Sequence, residues 1–108
     1  MESIRKLLFN MDKKFYVSLE AKELLIEKGY PIEKDRPTKS EAIDWLEGKG
    51  IYISTYYREL TGKFFCEIHY NKMIYKDKES DLTEDYKTLL EAKDAAIINA
   101  CKLLKNGN

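Results

Sequence analysis

The sequence predicts a small α+β fold, a three-stranded antiparallel meander packed by helices. Three observations carry this. Residues 51–76, IYISTYYRELTGKFFCEIHYNKMIYK, alternate side-chain character with β-branched and aromatic enrichment, the signature of short strands. Thr38-Lys39-Ser40-Glu41 and Thr88-Leu89-Leu90-Glu91 each match the capping box that opens a helix, one before and one after that stretch. Glycine or proline stands where each earlier helix should stop: Gly29 and Pro31 after the first, Gly48 and Gly50 after the second.

The strand register follows from turn chemistry. Glu59-Leu60-Thr61-Gly62 is a loop whose glycine can take a positive φ, so strands 51–58 and 63–70 pair with Arg58 opposite Lys63. Tyr57, Thr55, Ile53 and Ile51 then face Phe64, Cys66, Ile68 and Tyr70 on one side of the hairpin, the expected core face. The other side pairs Tyr56 with Phe65, Ser54 with Glu67 and Tyr52 with His69. A two-residue turn at Asn71-Lys72 would start a third strand at 73–76. Met73 and Tyr75 are then assigned to the core face, with Ile74 beside His69 and Lys76 beside Glu67 on the outer one.

Helices are expected over about 19–28, 39–48 and 89–105. Ser18 is the N-cap candidate of the first, whose apolar positions split between Ala21/Leu24/Leu25 and Leu19/Ile26 on the opposite side. The second shows an Ala42/Ile43/Leu46 stripe with Trp45 at its margin. Leu89, Ala92, Ala96, Ile97, Ala100, Leu103 and Leu104 form the inner face of the third, with Ile98 pointing away. Residues 1–14 carry Ile4, Leu7, Leu8 and Met11 at helical spacing and read as an amphipathic extension, and Phe15-Tyr16-Val17 as a short extended entry. The polar, acidic run 76–85 reads as a solvated loop. One domain is expected over 1–108.

Composition narrows the function classes. Of the 108 residues, 44% are hydrophobic and 35% charged, but 19 basic residues balance 19 acidic ones, leaving no net field to draw in polyanions. No apolar run approaches the ~20 residues that span a bilayer, and MESIRKLLFNMDKK lacks the apolar core and cleavage site of a signal peptide, so a cytoplasmic protein without membrane contact is expected. Cys66 and Cys101 read as reduced core thiols rather than a disulfide or a metal site.

Chemistry-bearing constellations are sparse. The single histidine, His69, has no Cys, Asp or Glu at metal-ligand spacing, and nucleophile motifs and glycine-rich phosphate loops are missing from the sequence. The carboxylates Asp77, Glu79, Asp81, Glu84 and Asp85 do not match an EF-hand spacing. No catalytic residue, metal or cofactor is therefore expected. The candidate binding surface is instead the outer sheet face, Tyr52, Tyr56, Phe65, His69 and Ile74, edged by Arg58, Lys63 and Lys76. Its occupant would be a protein partner, a second copy, or the chain's own first 30 residues. Nucleic acid is the alternative, with bases stacking on the aromatic rings, against which the neutral net charge argues.

Two resemblances bear on this reading. The helix, three-strand, helix order from 38 to 105 resembles double-stranded RNA-binding domains, which grip phosphate through a lysine cluster at the start of the last helix. Here Thr83-Glu84-Asp85 and Glu91 put negative charge at that point. The stretches YVSLEAKELLIEKGYP (16–31), SEAIDWLEGKGIYI (40–53) and YKTLLEAKDAAIINACKLL (86–104) together resemble a group of short uncharacterised proteins of phages and mobile elements of Bacteroides-like bacteria. That resemblance implies a phage or mobile-element accessory protein and transfers no functional residue. The expectation is a non-enzymatic binding module acting through protein–protein contacts.

Overall fold

A tight turn at Gly62 (φ 70°) sets the register of the sheet. Gly62 donates to the Arg58 carbonyl at 2.8 Å, closing the loop so that β1 (Ile51–Arg58) and β2 (Lys63–Tyr70) pair antiparallel with Arg58 opposite Lys63 and Ile51 opposite Tyr70. The computed structural model describes residues 15–31 and 36–104. The predicted amphipathic segment 1–14, part of the connector after Pro31 and the last residues of the chain lie outside them.

Three helices and this open sheet make a small α+β fold. Ser18 caps α1 (Leu19–Glu27) by accepting from the Ala21 amide at 3.2 Å. Gly29 (φ 109°) ends it, letting Tyr30 donate back to the Leu25 carbonyl at 2.9 Å. In α2 (Lys39–Gly48) both halves of the predicted capping box form, Glu41 N–H to Thr38 Oγ1 at 3.1 Å and Thr38 N–H to Glu41 Oε1 at 3.0 Å. The N-terminus of α3 (Leu89–Leu103) differs in detail. Thr88 Oγ1 accepts from the Glu91 amide at 3.2 Å, but the Glu91 carboxylate returns to the Thr88 hydroxyl, at 2.9 Å, rather than to its backbone. No helix among the described residues is long and apolar enough to cross a membrane.

The helices pack as one layer on one sheet face, α3 against β2 and β1, α2 against β1 and α3, and α1 against α3. Between the layers lies a core of Leu25, Leu46, Ile51, Cys66, Ile68, Ile97 and Cys101, all fully buried, with Ala92, Ala96 and Ala100 letting α3 approach the strands closely. Two details of the predicted helix faces differ. Leu103, the last residue of α3, is exposed, and Leu19 is exposed too, whereas Ile26 on the same side of α1 is half-buried.

The third strand is not at 73–76, nor is 76–85 wholly a loop. β3 is Asp81–Leu82, with Glu67 opposite Leu82 and Ile68 opposite Asp81. Asn71 explains the difference. Its carbonyl accepts from the Ile74 and Tyr75 amides at 3.0 and 2.8 Å, and its Oδ1 accepts from the Met73 amide at 2.9 Å, which winds 71–75 into a helical turn instead of a hairpin. Tyr75 then anchors the turn to the α2–β1 junction by donating to the Lys49 carbonyl at 2.8 Å and packing edge-on to Tyr70. Ile74 packs at Gly50 (φ 83°), where a Cβ would stand 2.8 Å from its Cδ1, so this corner needs glycine for both conformation and space.

The edge beyond β3 is irregular. Thr83 donates its amide to the Cys66 carbonyl at 2.9 Å, while its hydroxyl replaces a ladder carbonyl by accepting from the Cys66 amide, also at 2.9 Å. Phe64 and Tyr86 then exchange both backbone bonds, at 2.8 and 2.7 Å. Glu84 and Asp85 therefore stand together opposite Phe65, a bulge that needs the side-chain acceptor to keep the buried ladder satisfied.

Thr83→Val keeps the shape and removes that acceptor, leaving a buried amide unpaired. Urea denaturation should show a loss of about 1–3 kcal/mol, whereas Thr83→Ser should retain most of the stability. A second outcome concerns alkaline pH. Burial pushes the Cys66 thiol from 9.0 up to about 11, with Lys93 opposing, and the Cys101 thiol up to about 12, with Lys28 opposing. Both are protonated in either state below pH 9. Above it the unfolded chain releases protons that the folded chain keeps, so stability falls as pH rises from 9 through 11 and 12. Tyr70, raised by burial and by Asp81, adds in the same direction. Urea midpoints should decline steadily over that window, and less steeply in a Cys66→Ala/Cys101→Ala variant.

Candidate functional site

The outer sheet face is formed by alternate residues of the strands. The hairpin register assigns Tyr52, Ser54, Tyr56 and Arg58 of β1 and Lys63, Phe65, Glu67 and His69 of β2 to it. Because α1 packs on α3 in the helix layer, it does not cover this face. Tyr52 and Tyr56 remain 40% and 43% exposed. Of the first 30 residues, which are one expected cover of this face, 1–14 lie outside the described residues.

At the centre of the face is a three-member stack. Tyr56 and Phe65, directly opposite in the ladder, lie nearly parallel at 5.1 Å, and the Arg58 guanidinium covers Phe65 at 4.1 Å. Arg58 reaches across β2, its Nε donating to Asp85 Oδ1 at 3.0 Å, so the bulge opposite Phe65 supplies the carboxylate that holds the cation over the ring. Glu67 fixes the neighbouring part. Its Oε1 accepts from the Tyr56 hydroxyl at 3.4 Å and lies 3.4 Å from His69 Nε2. The result is an aromatic surface in which Glu67, on the central strand, holds the Tyr56 hydroxyl and Asp85 holds the cation over Phe65.

Most, but not all, of the predicted surface comes together. Tyr52, Tyr56, Phe65, His69 and Arg58 share the face as expected. Ile74 and Lys76 are not strand residues, because 71–75 is wound into a turn at Asn71 and the third strand is Asp81–Leu82; Ile74 lies at Gly50, and Glu67 contacts Tyr56 and His69. Leu82 was missed. It stands opposite Glu67 on this face and is largely exposed, and the signal lay in the Asp81-Leu82-Thr83 alternation inside what read as a solvated loop.

A second concavity, of about 880 Å³, opens on the helix side between the 16–18 segment and α3, lined in part by Tyr16, Lys39, Tyr86, Leu90, Asp94 and Ile98. Ile98, expected to point away from the core, is half-buried there. The polar floor of this groove has structural work. Lys39 Nζ, nearly buried, donates to the Tyr16 carbonyl at 2.7 Å, and Asp94 Oδ1 accepts from the Ser18 amide at 2.8 Å. Burial lowers the Lys39 pKa, and Asp94 acts against that. These contacts, with the Tyr16–Thr38 bridge, tie the entry segment to α2 and α3. They give Lys39 and Asp94 a structural role in joining these segments.

Among the described residues no three His, Cys, Asp or Glu side chains come together as a metal site. Compared with known proteins, the chain matches no family model, no curated protein and no solved structure.

Proposed function

We propose that this chain is a non-enzymatic binding module that acts through protein–protein contacts made by its outer sheet face, in a phage or mobile-element accessory role. The observation that carries this reading is the half-exposed Tyr56–Phe65–Arg58 stack with Tyr52 beside it. Rings held by neighbours give contact area at little entropic cost, and tyrosine hydroxyls add hydrogen bonds at the rim; Tyr and Arg are enriched where interfaces concentrate their energy. The two-layer fold explains how such a face persists, since the buried core cluster lies on the other side of the sheet.

Nucleic acid is the weaker alternative for the same surface. Phe65 is already stacked with Tyr56 and covered by the Arg58 guanidinium, which a base would have to displace or share, and Glu67 and Asp85 are carboxylates where phosphates would approach. Arg58, the nearest cation, is already engaged with Asp85.

Affinity capture from the native host with wild-type protein and with a Tyr52→Ala/Tyr56→Ala variant tests the reading. The expected result is a specific protein retained by the wild type and lost, or weakened at least about tenfold, with the variant. Equal recovery by both would sink the assignment to this face. Salt-sensitive retention of single-stranded oligonucleotides by the wild type alone would favour the alternative.

A further inference from the structure

The two edges of the sheet differ in a way that the face-binding reading does not use. At the β3 edge the strand is two residues long, carries Asp81, and gives way to a bulge at Glu84-Asp85. These are devices by which sheets block further pairing. The β1 edge has none of them. It is eight residues long, has no proline, lysine or bulge, and its one charge, Arg58, leans inward over Phe65 to Asp85.

The backbone direction along β1 follows from the bonds of β2. Phe64 and Cys66 spend their backbone groups on the β3 side, so Phe65, Glu67 and His69 spend theirs on β1, and the partners Tyr56, Ser54 and Tyr52 point inward. Ile53, Thr55 and Tyr57 therefore point their N–H and C=O groups outward. Among the described residues no hydrogen bond reaches those groups. The helix layer covers Ile51 fully but not the far half of the strand, where Thr55 is exposed and Tyr57 is 55% exposed.

We infer that β1 is a self-pairing edge, joining a second copy of this chain antiparallel about a two-fold axis at Thr55 to make a continuous six-stranded sheet. The register follows from the requirement that outward-pointing residues meet as hydrogen-bonded pairs. Ile53 then faces Tyr57 of the second copy and Thr55 faces its own equivalent, each pair exchanging both backbone bonds. On the helix side this gives an aliphatic–aromatic pair and a Thr–Thr pair, both favourable cross-strand combinations. On the outer face Ser54 meets Tyr56 and Tyr52 meets Arg58, so no like charges oppose one another anywhere in the paired segment. The strand is thus complementary to its own reverse, which singles out a second copy over an unrelated strand. The two aromatic faces become one surface.

Solution mass and amide exchange test this together. A mass of twice 12.7 kDa is expected, with Ile53, Thr55 and Tyr57 amides protected at concentrations where the dimer forms and exchanging fast on dilution. Tyr52, Ser54 and Tyr56 amides, bonded to β2, should stay protected throughout and so report that the hairpin is folded. Thr55→Lys sets two like charges against each other on the axis and should return the mass to one chain with that inner protection intact; Thr55→Pro should do the same by removing an outward donor. A wild-type chain that remains monomeric overturns the inference, as does a dimer whose Ile53, Thr55 and Tyr57 amides exchange freely. Protection of those amides only by a different protein also overturns it. Thr55 takes no part in the aromatic face, so loss of self-association in its variants is distinct from loss of a captured partner in the tyrosine variants.

Discussion

The pairing of Arg58 with Lys63 is the constraint on which the remaining structure depends. A strand has a side-chain period of two, so a slip of one residue would send Ile51, Ile53, Cys66 and Ile68 to solvent and bring Tyr52, Tyr56, Glu67 and His69 beneath the helices. Gly62 holds the loop that prevents the slip, and the burial of Ile51, Cys66, Ile68 and Tyr70 against α2 and α3 reinforces it. Everything proposed for function lies on the consequences. The outer face is aromatic because the inner face satisfies the core, and the β1 edge is open because β2 takes the centre of the sheet.

The hairpin and the helices were legible in the sequence because several local signals agreed at each of them. Alternation, turn glycine and cross-strand chemistry all specified one register, and the capping residues Thr38, Ser18 and Thr88 together with Gly29 marked helix ends to within a residue or two. The third strand was not legible, for a reason that lies in two residues. Asn71 offers its side chain to the backbone ahead of it, converting a plausible hairpin turn into a helical one. Thr83 then makes one of its two ladder bonds through its hydroxyl, so β3 is two residues long and its Asp81-Leu82-Thr83 alternation is too short to stand out from the polar run around it.

The position of the third strand also decides the make-up of the candidate site. Placing 73–76 in the sheet added Ile74 and Lys76 to the outer face and hid Leu82, while the members contributed by β1 and β2 were unaffected because their register was secure. The helix-side groove was illegible for a different reason. It is created by the crossing of the 16–18 segment over α3 near Lys39 and Asp94, residues 76 positions apart in the Ser18–Asp94 bond, and no local pattern encodes so distant a meeting. The Arg58–Asp85 pair is similar. Its two ends were each visible as charged residues, but their meeting across Phe65 depends on the bulge.

The central claim is that helices close one face of this sheet as core around Ile51, Cys66 and Ile68, while the opposite face is left open as an aromatic contact surface. Tyrosine modification of the folded, partner-free protein, mapped by mass spectrometry, reads this directly, because Tyr52 and Tyr56 are partly exposed whereas Tyr30 and Tyr70 are buried. The account predicts that Tyr52 and Tyr56 are modified readily and that Tyr30 and Tyr70 react only after unfolding. Protection of Tyr52 and Tyr56 to the level of Tyr70 in the isolated monomer would contradict it.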